Sequence, residues 1–301
     1  MSLKQRIIWR LEAFAYDGVS CLFALIPFAG LSKIGGKTLR LIGPLTSKQK
    51  IVRRNIEIAF PDMNEAERRA LITAQWDNIG RLFFEFLALH RLKVFVPNSR
   101  ITVEGLEKLD QHKPAVMISG HFANWEVMAM VFAQYGQRAD FPSHVTYRKI
   151  NNPYIDARIQ KQRQAYGIQL LVQKSGARGA RELIQALKDG ESVALLNDQK
   201  FNEGLSVPLF GTPAMTASGP VRLALKSGRP LLPMCVSRKG ARFHVKIFDP
   251  IELEKTGDRA ADLYAGVEKV NQFIEARILD TPDQWFWVHR RWPKAQYRRE
   301  E

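Results

Sequence analysis

Cysteine is almost missing from this 301-residue chain: Cys21 and Cys235 are its only two, far apart and without metal-ligating neighbours. That excludes a disulfide framework, offers no zinc site and fits a reducing, cytosol-facing location. No metal and no cofactor are expected. A G-x-S-x-G elbow is also lacking, as is a cysteine near a strand end, so no enzyme nucleophile is evident. RNA-recognition, KH, zinc-finger and helix-turn-helix signatures are absent, and the basic residues are scattered rather than gathered on one element, which argues against a nucleic-acid partner. Repeats and long linkers are missing as well.

What is abundant is positive charge. Lys and Arg number 45 against 30 Asp and Glu, a net charge of +15, while 46% of residues are hydrophobic. The second figure permits a large core; the first favours polyanionic partners such as an anionic membrane face, a phosphorylated substrate or an acidic protein. Lys4, Arg6 and Arg10 precede an apolar stretch, "VSCLFALIPFAGL", from Val19 to Leu31. It is shorter than the roughly 20 residues a spanning helix wants, Asp17 stands just upstream, and Pro27 and Gly30 interrupt it. A signal peptide would need a small-residue cleavage site, which does not follow. With Lys33, Lys37 and Arg40 behind it, the stretch suits an interfacial helix or hairpin on an anionic leaflet. A true span and an ordinary core helix remain open.

From Ser47 to His90 the pattern is helical. Asn64 and Glu67 stand at capping-box positions, and Leu71, Ile72, Trp76, Ile79, Phe83, Phe86 and Leu87 recur at helical spacing, most simply as core. Beyond Pro97, short apolar runs alternate with helical stretches, the texture of an α/β domain. "RITVEG", "PAVMIS", "DFPSHVTYR", "SVALLND", "RPLLPMCV" and "ARFHVKIF" read as strands. "NWEVMAMVFAQYG" reads as a helix starting near Ala123 or Asn124 and ending at Gly136. Further helices stop at Gly167 and Gly190, and residues 258–280 form a long last one. The expectation is an α/β fold with a mixed sheet flanked by helices, divided into an N-terminal membrane-associated segment (1–45), a helical pre-domain (46–97) and an α/β core (98–301).

Within "ISGHFANWEV" (118–127), His121 follows a strand end and Glu126 comes five positions later. Six histidines and about one acidic residue in ten supply roughly 0.6 chance matches to H-x-x-x-x-[DE], and the chain contains two. The second, His244 with Asp249, lies in strand-like sequence, where a spacing of five sends side chains to opposite faces. His121 has the better setting, because open α/β sheets bind ligands beyond the carboxyl ends of their strands. A histidine just before a helix can turn back over its first turn toward Glu126, and a neutral imidazole held by a carboxylate is a general base. Without an enzyme nucleophile, such a base must activate one belonging to a substrate. The plain alternative is a structural histidine.

Several blocks together resemble a family, the bacterial lipid A biosynthesis acyltransferases (lauroyl and myristoyl transferases) within the glycerolipid acyltransferase superfamily. They are "GHFANWE", "YRKINNP", "NDQKFNEGLSVPLFGTPAMTASGP" and "GRPLLPMCV", with "RRNIEIAFPDMNEAER" upstream and "WFWVHRRW" near the end. The resemblance implies that His121, assisted by Glu126, deprotonates a lipid A precursor hydroxyl. That oxygen attacks an acyl carrier protein thioester, with no covalent acyl-enzyme. It also implies substrate-binding roles for Arg148 and Asn124, a pocket shaped by Asp198 and Gln199, and an inner-membrane location with the site facing the cytoplasm. Lys200 and Phe201 depart from the pattern, since many relatives carry an acidic residue after the D-Q pair; acceptor or acyl preference is expected to differ accordingly. Other acceptors, a lysophospholipid or another glycolipid, stay open, as does a non-catalytic basic membrane-binding protein. Trp285 and Trp287 suit either a headgroup zone or packing within the domain.

Overall fold

The computed structural model of the chain describes residues 2–139, 142–168, 170–173 and 176–300. Helix α1 (Leu3–Ala24) starts at Ser2, whose hydroxyl accepts the Gln5 N–H, and α2 (Phe28–Ile42) follows Pro27. Next come α3 (Lys48–Ala59) and α4 (Glu65–Phe86). The capping box forms: the Asn64 side chain accepts the Glu67 N–H at 2.9 Å, and the Glu67 carboxylate accepts the Asn64 N–H at 3.2 Å. Leu71, Ile72, Trp76 and Ile79 bury the core-facing stripe of α4 as expected, whereas Phe83 is exposed. Helices α2 and α4 meet backbone to backbone at Gly35 and Gly80, where a Cβ on Gly80 would lie 2.0 Å from the Gly35 carbonyl oxygen. Only glycine permits that approach.

The remaining elements alternate: β1 (Ile101–Glu104), α5 (Glu107–His112), β2 (Val116–Ser119), α6 (Glu126–Arg138), β3 (Ser143–Tyr147), α7 (Pro153–Ala165), β4 (Leu170–Gln173), α8 (Gly176–Lys188) and β5 (Ser192–Leu196). After a hairpin of β6 (Lys200–Leu209) and β7 (Thr212–Thr216) come α9 (Gly219–Ser227), β8 (Leu231–Lys239), β9 (Arg242–Ile247) and α10 (Arg259–Asp280). The described residues form a seven-stranded sheet of order β1-β9-β8-β2-β5-β3-β4, in which β8 and β9 pair antiparallel and the other neighbours parallel. This is the mixed sheet flanked by helices that the sequence predicts. Strand β2 is buried on both faces, hence its unbroken apolar run. Met117 joins the core around α6, and Val116 and Ile118 join the cluster of Leu183, Leu187, Val221 and Val267 on the opposite face.

Two local expectations are corrected. Helix α6 starts at Glu126, not Ala123 or Asn124, because Ala123 has a φ of 42° and Phe122 is bridged to Trp285. Gly136 does not end that helix; it is buried inside it. The "PLFGTP" segment forms the tip of the β6–β7 hairpin, where Phe210 (φ 52°) and Gly211 (φ 67°) supply the paired positive φ of a tight two-residue turn. Among the described residues, no helix is long and apolar enough to cross a membrane.

Candidate active site

Parallel strands β2 and β5 pair Ser119 with Leu196, so their carboxyl ends open side by side and deliver two segments to one place. From β2 come Gly120 and His121; from β5 come Asn197, Asp198 and Gln199. The Asn197 N–H donates to the Ser119 carbonyl at 2.8 Å, which extends the ladder by one step. A Cβ at Gly120 would stand 2.7 Å from the Phe122 ring and 3.1 Å from the Asp198 carboxyl carbon. The glycine that follows the strand therefore makes room for an acid rather than only for a turn.

That acid is the partner of the histidine. His121 Nδ1 lies 2.6 Å from Asp198 Oδ1, and the His121 backbone N–H donates to Oδ2 at 2.8 Å. The Trp285 indole also donates to Oδ2, at 2.7 Å. An ionised carboxylate only accepts, so Nδ1 carries the ring proton and Nε2 is left with its lone pair. The Gln199 amide nitrogen sits 3.3 Å from Nε2. Burial pushes the Asp198 carboxyl up, but the His121 ring and N–H and the Trp285 indole outweigh it and hold it below the ordinary aspartate value of 3.8. Asp198 is thus a buried, fully donated anion. The ring of His121 is also fixed from the side by Trp125, edge-on at 4.7 Å, and by Phe286 at 6.0 Å.

Glu126 does not hold the ring, which corrects the expected His121–Glu126 pairing. Its carboxylate accepts from Arg163 Nε at 3.0 Å, from the Arg163 terminal nitrogen and from the Tyr166 hydroxyl at 2.6 Å. The physical reason lies in the late start of α6: Glu126 occupies its first turn and points toward α7, while His121 stays in the preceding loop. Burial raises the Tyr166 hydroxyl and Glu126 raises it further. Burial alone would lower Arg163, but Glu126 and Tyr166 lift it above the usual arginine range. Glu126→Gln leaves the half-buried guanidinium without its counter-charge, so a loss of about 2–4 kcal/mol is expected in denaturant unfolding. An unchanged midpoint would refute this bracing role.

His121, Gln199 and Arg148 line one cavity of about 340 Å³ beneath α6. Its inner wall is a row at one register across four parallel strands, namely Met117, Ala194, Val145 and Leu171, faced by Met128 and Ala129 from α6. The cavity is apolar inside and polar where the strands end. Arg148 is exposed there and makes no ion pair among the described residues. Asn124, expected to bind substrate, instead lies buried outside this lining. It donates to Glu85 Oε2 at 3.1 Å, in a network where Ser32 donates to Oε1 at 2.6 Å and Arg238 to Oε2 at 2.8 Å. Asp198, expected to shape the pocket, lies outside this lining and against the His121 ring.

The residues that sequence reasoning missed are Arg163, Tyr166 and Trp285. Arg163 sits in the polar run "QKQRQ", which reads as a solvated helix face, and nothing local marks it. Trp285 and Trp287 are both buried, which decides for packing over a headgroup zone. Nearby, His289 Nε2 accepts the Lys200 N–H at 3.1 Å, and burial pushes His289 down to about 4, so it is neutral at pH 7. The second H-x-x-x-x-[DE] match comes to nothing here, because His244 contacts Glu104 and Thr102 whereas Asp249 pairs with Lys108.

Residues 2–294 match the family model for bacterial lipid A biosynthesis acyltransferase. The lipid A biosynthesis lauroyltransferase of Escherichia coli (strain K12) is 29% identical over 287 residues, covering 91% of this chain and 89% of that protein. The lipid A biosynthesis palmitoleoyltransferase of the same strain is 27% identical over 288 residues, at 91% and 88% coverage. The phosphatidylinositol mannoside acyltransferase of Mycobacterium tuberculosis (strain CDC 1551 / Oshkosh) is 25% identical over 233 residues, at 74% and 70% coverage.

Proposed function

Because the chain belongs to the bacterial lipid A biosynthesis acyltransferase family, we propose that it moves a fatty acyl chain from an acyl carrier protein thioester to a hydroxyl of a lipid A precursor, with His121 as general base. The carrying observation is the His121 ring, pinned by Asp198 through Nδ1 and left with a proton-accepting Nε2 at the polar end of an apolar cavity. Nε2 takes the acceptor's hydroxyl proton, and the oxygen attacks the thioester carbonyl. The tetrahedral species collapses with cleavage of the C–S bond, and the imidazolium returns its proton to the leaving sulfur. Asp198 favours the imidazolium formed in between. The acyl tail suits the apolar row beneath α6, and Arg148 supplies positive charge for the thioester oxygen or an acceptor phosphate.

Direct transfer is supported by what surrounds Ser119, the one serine among the described residues that line the cavity. The Ser119 hydroxyl lies 3.2 Å from the Met128 sulfur and 3.4 Å from the Gly120 carbonyl, and His121 does not activate it. The deciding assay incubates purified protein with acyl carrier protein thioester and tetra-acylated lipid A precursor, and reads product by mass spectrometry. Product with the acyl chain on the glycolipid is the expected result; its absence with an otherwise folded protein refutes the reading. A parallel arm with a mannosylated phosphatidylinositol acceptor tests a second reading, another glycolipid, which the mycobacterial relative favours.

We also place the enzyme at the cytoplasmic face of the inner membrane, with α1 lying in the interface. Leu3, Ile7, Leu11, Phe14, Leu22 and Leu25 are all exposed, and at 100° per residue they share about 100° of arc. Lys4, Arg6 and Arg10 supply the attraction to an anionic leaflet. The opposite side of α1 is latched to α7, where Arg158 Nε donates to Asp17 at 2.6 Å and the Tyr16 hydroxyl donates to Gln162 at 2.9 Å. Replacing Leu11 and Phe14 together with glutamate is expected to move most of the protein from the membrane pellet to the supernatant. Sedimentation like the parent's would refute the attachment.

A further inference from the structure

Asp198 has a third donor whose part the transfer reaction does not by itself explain. Trp285 belongs to the C-terminal segment, is 3% exposed and aims its indole N–H at the same oxygen, Oδ2, that receives the His121 backbone N–H. Its placement is over-determined. Trp285 bridges Phe122 in the loop that carries His121, and its ring stacks edge-on against Trp287 at 4.7 Å. The preceding Gln284 accepts the Arg238 N–H at 2.7 Å and returns a bond to the Arg238 carbonyl at 3.0 Å. Its own carbonyl takes the Ala123 N–H at 2.7 Å. Asn55 of α3 donates to the Trp287 and His289 carbonyls at 2.6 and 2.7 Å and accepts the Tyr297 hydroxyl.

We infer that Trp285 is a positioning residue for acyl transfer: its indole N–H locks the Asp198 carboxylate in the rotation that holds His121 Nδ1. This rests on the reading of His121 as general base. Oδ1 can serve the ring only while Oδ2 is turned toward the loop. Two donors on Oδ2, one from the His121 backbone and one from Trp285, fix that turn. A ring of the same shape lacking the N–H leaves one of them, and the carboxylate gains a torsional freedom that the imidazole then shares. A packing tryptophan buried for its area alone would not need its polar atom on this oxygen.

The test is Trp285→Phe, which keeps an aromatic ring and removes the donor. A loss of roughly tenfold in kcat at nearly unchanged KM is expected, the size of one hydrogen bond to a charged group. The acid limb of the kcat pH profile should also shift, because the carboxylate that faces Nδ1 has lost one of its donors. The charged and titratable groups around His121 are Asp198 against Nδ1, Glu126, Arg163 and Arg148 in the cavity wall, and His289 and Arg291 behind the carboxylate. None of them is altered by this substitution. In an Asp198→Asn background the same substitution should cost almost nothing more, since its route of action is gone. Unchanged kcat and limb, or losses that multiply independently in the double variant, overturn the inference.

A measurement on the unmutated enzyme covers a variant that does not fold. With indole ¹⁵N labelling, one downfield N–H resonance should titrate with the acid limb and shift in His121→Ala. Indifference of every indole N–H to both overturns the proposal. Retained turnover in His121→Ala would sink the general-base reading instead, so the two failures are distinguishable.

Discussion

His121→Ala is expected to lower acyl transfer by about 10²- to 10⁴-fold, the worth of a positioned general base, while thioester and acceptor still bind. The reasoning starts from the lone pair. Nδ1 is committed to Asp198, so the protein has a single basic nitrogen at the polar end of the cavity. Among the described residues that line it, no other neutral base offers itself: Glu126 is consumed by Arg163 and Tyr166, and Gln199 cannot take a proton. His289 is neutral but outside this lining, with its Nε2 engaged by Lys200. The effect should fall on kcat, because the ring meets the acceptor hydroxyl only as its proton leaves. Folding should survive, since the ring packs against Trp125 and Phe286 at the rim and not in the main core. Single-turnover mass spectrometry with saturating thioester separates the chemical step from binding. Turnover within threefold of the parent's would dismiss the mechanism.

How much of this was readable beforehand follows from the range of each signal. Hydrophobic alternation acts over a few residues, and it located β2, β5, β8, β9 and α10 well because their patterns are local. His121 was placed at a strand end for the same reason. Its partner was not, because Asp198 arrives through the parallel pairing of β2 with β5, which links positions 77 residues apart; spacing within "HFANWE" cannot see a sheet register. Reading Glu126 as the partner assumed a helix start two or three residues early. What delays that start is a contact with residues 284 and 285, at the far end of the chain. The tryptophans of "WFWVHRRW" show the opposite ambiguity: a side chain with an apolar body and one donor suits a membrane interface and a buried acid equally. Only the position of Asp198 decides between them.

The two carboxylates make opposite demands on experiment, and Asp198→Asn is the sharper one. The substitution keeps the shape and removes the charge in a site where three donors, His121 Nδ1–H, the His121 N–H and the Trp285 indole, converge on two oxygens. An amide offers one acceptor and one donor, so its NH₂ must face at least one N–H. The least costly escape is for the imidazole to shift its proton to Nε2 and accept at Nδ1. That tautomer has no base facing the acceptor. A loss of roughly 10²- to 10⁴-fold in kcat is therefore expected, as large as removing the ring itself, with an unpaired buried donor costing about 1–3 kcal/mol of stability besides. The sign of the pH dependence follows from the depressed carboxyl: the stability it contributes is full above its ordinary value of 3.8 and is lost as pH falls toward the lower folded value. The gap in unfolding free energy between parent and Asp198→Asn should thus narrow below about pH 4. Were Glu126 the true support of the ring, Asp198→Asn would leave kcat nearly intact and Glu126→Gln would abolish it, the reverse of the order expected from the hydrogen bonds.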